Sequence, residues 1–96
     1  MITLDQVMVL ARRNNRACPV PAQWAAFHRL LSRHQPQGGV APPAPVDGPG
    51  WAATSPMQKR LRLRDQLEWA ERTGVLTEVG GFLAGLTEQD WHHFGD

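Results

Sequence analysis

The segment LTEQDWHHF, residues 86–94, places Glu88, Asp90, His92 and His93 within six positions. Two carboxylates and two imidazoles at that density could hold a metal ion or exchange protons. A zinc site needs three or four ligands, with helical pairs set at i, i+4 or i, i+3. Adjacent His92 and His93 would point about 100° apart on a helix, so they cannot both ligate from one face. Glu88 with His92, or Asp90 with His93, would share a face. Either pair would still need His28, His34 or a second chain to complete it. The same residues finish a helix more economically. Thr87 is a cap, Glu88 and Asp90 suit the positive start, and the two histidines suit the negative end. Trp91 and Phe94, three apart, would anchor that helix to the core. The expectation is a short final helix from Glu88 to about Phe94, with no metal and no cofactor.

A second candidate is KRLRLR, residues 59–64. Lys59, Arg60, Arg62 and Arg64 fall in the first half of a helix, where the dipole favours negative charge. An anion is therefore implied, either phosphate or the acidic C-terminal segment. Non-specific phosphate binding ordinarily draws on a larger net charge than +1 and on stacking rings between the cations. A solvated or internally paired face is the plainer expectation, with nucleic acid the alternative. Cys18 precedes Pro19 and a helix start, where a thiol can be activated, and His28 or His34 could serve as base. No catalytic signature surrounds it, and a lone Cys is most often a small buried apolar residue. Phosphate-loop, nucleophile-elbow and H-E-x-x-H patterns are missing from the sequence, so no catalytic residue is assigned.

These residues need elements to carry them. Thr3 caps a first helix, with Gln6 completing a capping box and Ile2 placed to staple against Val7. Leu4, Val7, Met8 and Ala11 follow at helical spacing. Arg12, Arg13 and Arg16 suit that helix's end, and Asn14 and Asn15 suit its termination. A second helix starts near Pro21 and runs to about His34, with Trp24, Phe27, His28 and Leu31 on one face and Leu30 widening it. Residues 1–35 should thus form a helical hairpin. Residues 36–56 hold six Pro and four Gly, a composition unsuited to regular structure. Residues 36–54 are read as a long surface loop, with 38–49 its most mobile part. Ser55 caps a third helix, with Pro56 first, Gln58 completing a box and Gly74 as a left-handed stop. Leu61, Leu63, Leu67 and Ala70 supply its apolar arc. A weaker helix spans about Thr77 to Gly85, where three glycines demand close packing against a neighbour.

Ninety-six residues allow one modest core. With 42% apolar and 20% charged residues, the composition is that of a globular protein. Charge is segregated: residues 1–34 carry five Arg against Asp5, whereas residues 75–96 carry Glu78, Glu88, Asp90 and Asp96 with no Lys or Arg. No apolar run approaches a membrane span, and MITLDQVMVLARR lacks the basic-then-apolar order of a secretory signal. One Cys forms no internal disulfide. A cytoplasmic location without membrane association is expected.

The C-terminal half, with GW followed by TS and then K..RL...LEWA...G.L..V..FL..L.E.DWHHF, resembles a group of short uncharacterised bacterial proteins. The resemblance covers residues 50–94, with PVPAQW near residue 20 as a second block. Its matching positions are mostly apolar and aromatic, so it implies a shared packing unit and no activity.

Four Trp and three Phe without Tyr are a heavy load for so small a core. Trp24, Trp69 and Trp91 sit at or near apolar faces. Trp69 lies about 100° or more from Leu63, Leu67 and Ala70 on the wheel, so it packs on a second neighbour or faces a partner. Trp51, in the loop, needs a cover from the core or a partner. Trp51 and Trp69 are therefore the candidate partner-contacting residues. The sequence is read as a small all-α single domain of four to five short helices with one long Pro/Gly-rich surface loop. Its expected role is a non-enzymatic protein–protein interaction module with an unidentified protein partner; alternatively, it is a nucleic-acid-binding accessory protein using the basic start of the third helix.

Overall fold

Capping chemistry sets most of the helix boundaries. In the computed structural model, which describes residues 3–12, 17–46 and 48–94, the Thr3 N–H donates to Gln6 Oε1 at 2.8 Å and the Gln6 N–H donates to Thr3 Oγ1 at 3.2 Å. This reciprocal pair opens α1, Leu4–Arg12. The expected Ile2 staple, the cations Arg13 and Arg16 and the terminators Asn14 and Asn15 lie outside the described residues. Pro21 begins α2, Pro21–Arg33, which buries Trp24, Phe27 and Leu31; His28 and Leu30 stay half-exposed at the edges of that face. Ser55 accepts from the Gln58 N–H at 3.2 Å and starts α4, Pro56–Thr73. Gly74 stops it at φ 82°, with the Gly74 N–H donating to the Glu71 carbonyl and the Val75 N–H to that of Ala70. That bond pair needs a left-handed residue, which glycine supplies without strain. Helix α5, Leu76–Ala84, follows at once.

Three features depart from the expected layout. The segment after Thr87 is one 3₁₀ turn, Glu88–Asp90, followed by a strand β2, Trp91–His93. It pairs antiparallel with β1, Ala17–Pro19, in the register Ala17↔His93, Cys18↔His92 and Pro19↔Trp91. The Val20 N–H extends the contact to the Asp90 carbonyl at 2.9 Å. A segment of seven residues gains little from helix formation alone, and β1 offers backbone partners that a helix would waste. The fold is therefore mostly helical with one small two-stranded sheet, rather than all-α. Trp91 and Phe94 are buried, as the helical reading also required.

The second departure is α3, Gly48–Ala53, inside the Pro/Gly-rich stretch. Trp51 packs against the core from this short helix, and Thr54 Oγ1 closes it on the Gly50 carbonyl at 2.6 Å. Residues 35–46 remain irregular but are tied down. The Trp69 indole N–H donates to the Val40 carbonyl at 2.9 Å, and Gln66 Nε2 donates to that of Pro43 at 3.2 Å. Pro42 and Val46 are buried beside these anchors.

The third concerns α1, which packs chiefly on α5, with smaller contacts to α4 and β1, instead of folding back on α2 as a hairpin. Helix α5 meets α1, α2 and α4. Gly80 is buried in it, matching the expected close packing, whereas Gly81 is exposed and a Cβ there would meet nothing within 4 Å. Gly81→Ala is therefore expected to raise the unfolding free energy by about 0.5–1 kcal/mol through helix propensity alone. A lower denaturation midpoint for this variant would show that α5 needs glycine at both positions.

Candidate interaction surface

Helix α4 carries two kinds of surface along its length. Lys59, Leu63, Gln66, Leu67 and Ala70 recur at helical spacing and are buried. Lys59 lies one turn before Leu63 on that arc, which is why a lysine at this position is only 6% exposed. Its Nζ sits 3.9 Å from the centroid of the Trp51 ring. Trp51 meets Trp24 edge-on at 5.8 Å and His92 at 5.2 Å; His92 in turn meets Phe94 at 5.6 Å. The Arg60 guanidinium stands 4.7 Å over Phe94. A chain of four rings thus runs from α2 through α3 to β2, with two cations of α4 laid upon it. Cation–π attraction is worth about 2 kcal/mol or more at the buried Lys59 and less at the half-exposed Arg60.

This arrangement redistributes the basic cluster. Lys59 and Arg60 are turned onto rings. Arg64 bonds Glu68 Oε1 at 3.0 Å, and Arg62 is exposed. The four cations form no single outward patch. Trp51 is half-buried with partners on several sides, and Trp69 is enclosed beneath the loop at 3% exposure. Of the two alternatives for Trp69, packing on a second neighbour is the one the structure adopts, and the neighbour is the loop. What α4 does display is Met57 and Leu61, 66% and 48% exposed, on the same outward stripe as Arg64 and Glu68. Leu61, expected in the apolar arc, is thus outside it, and Met57 joins it on the exposed side. The 57-61-64-68 spacing, opposite the buried positions, was the available signal.

The DWHHF residues are divided by the strand. Successive side chains of β2 point to opposite sides. His92 enters the ring chain, while His93 Nε2 lies 3.3 Å from Glu88 Oε2. The carboxylate of Asp90 accepts from the Thr87 N–H at 2.9 Å and from Gln23 Nε2 at 3.3 Å. Glu88 and His92, the pair a helix would have joined, are therefore separated. Among the described residues no group of three or more His, Cys, Asp or Glu is placed to hold a metal ion. Neither is any helix among them long and apolar enough to cross a membrane. Comparison with protein-family models, with curated proteins and with solved structures finds no match to this chain.

Cys18 is fully buried in β1, and burial pushes its thiol from 9.0 up to about 12, with Lys59 offsetting only part of the rise. A thiol so placed stays protonated and unreactive at neutral pH. Burial, then Lys59 and His93, holds the His92 imidazole below its usual range. Both groups are thus held neutral by the fold, with opposite consequences. The raised thiol leaves stability intact below pH 9.0 and erodes it as pH climbs toward about 12. The lowered imidazole leaves stability intact above the ordinary imidazole range and erodes it as pH falls through about 6.5. Native protein at neutral pH is expected to resist a thiol-specific reagent that labels the urea-unfolded chain fully. His92→Gln is expected to flatten the acid side of the stability profile. Rapid native labelling, or an acid slope unchanged in the variant, would contradict this account of the β1–β2 region.

Proposed function

We propose that this chain is a non-enzymatic protein-interaction module that receives an acidic, amphipathic protein segment on the outward face of the first half of α4. The observation that carries this reading is the exposure of Met57 and Leu61, one helical turn apart, on a structured and well-capped helix. Long apolar side chains displayed in pairs on a rigid helix are the usual footing for helix-in-groove or helix-on-helix contacts. The surrounding charge supports a partner of one sign. PMQKRLRLR, residues 56–64, holds four cations and no carboxylate. Arg64 follows Leu61 at i+3 and sets a guanidinium beside it, whereas Arg60, i+3 from Met57, is turned onto Phe94. A partner helix with an apolar ridge and flanking Asp or Glu would match both features. Desolvated apolar contact would supply the affinity, and the charges would set orientation and association rate.

A photo-reactive residue in place of Leu61 tests this in the native cell. It is expected to cross-link to a protein whose contacted peptide is acidic, and Arg64→Glu is expected to abolish that product without altering the circular dichroism spectrum. Cross-links to nucleic acid, with an affinity falling steeply with salt, would move the chain to the phosphate-binding alternative. Failure to cross-link any protein would overturn the reading.

A further inference from the structure

A second basic feature lies away from α4, on the C-terminal half of α2. Arg29 and Arg33 stand one turn apart and are both exposed. They line, with Ser32, Ala26 and Phe82, an open cavity of about 410 Å³ between α2 and α5. Neither guanidinium has an ion-pair or hydrogen-bond partner among the described residues. Two like charges at i, i+4 repel each other. The negative end of the α2 dipole eases that repulsion but occupies none of their N–H donors.

The apolar side of the cavity is built differently. Phe82 is half-buried and stacks on the fully buried Phe27, with centroids 5.9 Å apart and planes within 16°. That stack seats the Phe82 ring against the core, and the rest of the ring gives the cavity an apolar wall. Ala26, small and half-buried, leaves room beside it. The cavity thus combines an aromatic wall, a hydroxyl from Ser32 and two guanidinium forks that have no partner among the described residues.

From this juxtaposition we infer that the α2–α5 cavity is a binding site for a small organic oxyanion, a carboxylate or phosphate head carried on a planar apolar body. Guanidinium groups grip such heads through paired N–H donors, a geometry that an ammonium group lacks. The planar body would lie against Phe82 and Ala26 while the head meets Arg29 and Arg33. A volume near 410 Å³ is at the small end of ligand sites and suits a single ring with its substituent. This site is independent of the α4 surface: it uses other helices and another ligand class, so either can fail alone.

The test is an amide chemical-shift titration of the full chain with benzoate, phenyl phosphate and inorganic phosphate as separate probes. Saturable shifts confined to residues 26–33 and 80–84 are expected with at least one aromatic anion, and whichever binds more tightly identifies the head group. Inorganic phosphate is expected to bind about tenfold or more weakly than phenyl phosphate, because it cannot use the aromatic wall. The double variant Arg29→Gln with Arg33→Gln, both at exposed positions, is expected to keep the wild-type spectrum elsewhere and to lose about tenfold or more in affinity. Arg29→Lys with Arg33→Lys should retain charge yet bind more weakly than wild type. Absence of saturable shifts with both aromatic anions, equal binding of inorganic phosphate, or undiminished binding by the Gln variant would each overturn the proposal.

Discussion

A single buried amide ties the structure together. Gln66 has no exposed surface, lies in the middle of α4 and accepts the Trp24 indole N–H at 2.6 Å. Its own Nε2 donates to the Pro43 carbonyl at 3.2 Å. One side chain therefore fixes α2 against α4 and fastens the Pro-rich segment across both. A buried polar group is tolerated only when its donors and acceptors are engaged, and here the need is mutual. Trp24 requires an acceptor, Pro43 requires a donor, and an amide supplies both. Together with the Trp69–Val40 bond, this gives residues 35–46 a fixed place that their composition alone would not.

The ring chain depends on the same pair. Trp24, held by Gln66, presents the surface on which Trp51 packs edge-on, and Trp51 in turn meets His92 and the Lys59 ammonium. The β1–β2 ladder holds the far end of that chain through His92 and its register with Cys18. Two charges that look misplaced at the start of α4 are thus accommodated by aromatic faces. The helix can then turn Met57 and Leu61 outward without exposing a uniformly basic surface. The exposed apolar pair and the packing face thus lie on opposite sides of one helix.

Much of this was legible in the sequence where the responsible physics is local. Thr3 with Gln6, Pro21, Ser55 and Gly74 act through bonds within a few residues, so the starts of α1, α2 and α4, and the end of α4, follow from reading them. The buried face of α2 and the burial of Trp91 and Phe94 follow from spacing and size. What was hidden depends on contacts distant along the chain. DWHHF carries helix-capping residues, and its first turn does form on Thr87 and Asp90. Its remainder becomes a strand only because β1, some seventy residues earlier, presents an edge. Helix α3 exists because Trp51 finds Trp24, in a stretch whose Pro and Gly content argues against any helix. Gln66 and Lys59 are polar residues on an apolar arc. Lys59 reads from sequence as part of a solvated or paired basic face and Gln66 carries no signal, because their partners, Pro43 and Trp51, lie outside any local spacing.

Equilibrium unfolding of Gln66→Leu, combined in a cycle with Trp24→Phe, measures the central interaction most directly. Leucine keeps much of the volume but leaves the Trp24 N–H and the Pro43 carbonyl without their partner. The buried Trp24 loss costs about 1–3 kcal/mol, and the part-buried Pro43 carbonyl costs less. Gln66→Leu should therefore lower the unfolding free energy by roughly 1–3 kcal/mol after the gain in apolar burial is counted. In the Trp24→Phe background the same substitution should cost about 1 kcal/mol less, because the indole donor is already gone. A Gln66→Leu protein as stable as wild type, with no coupling to Trp24, would contradict the claim that this amide holds α2, α4 and the loop together.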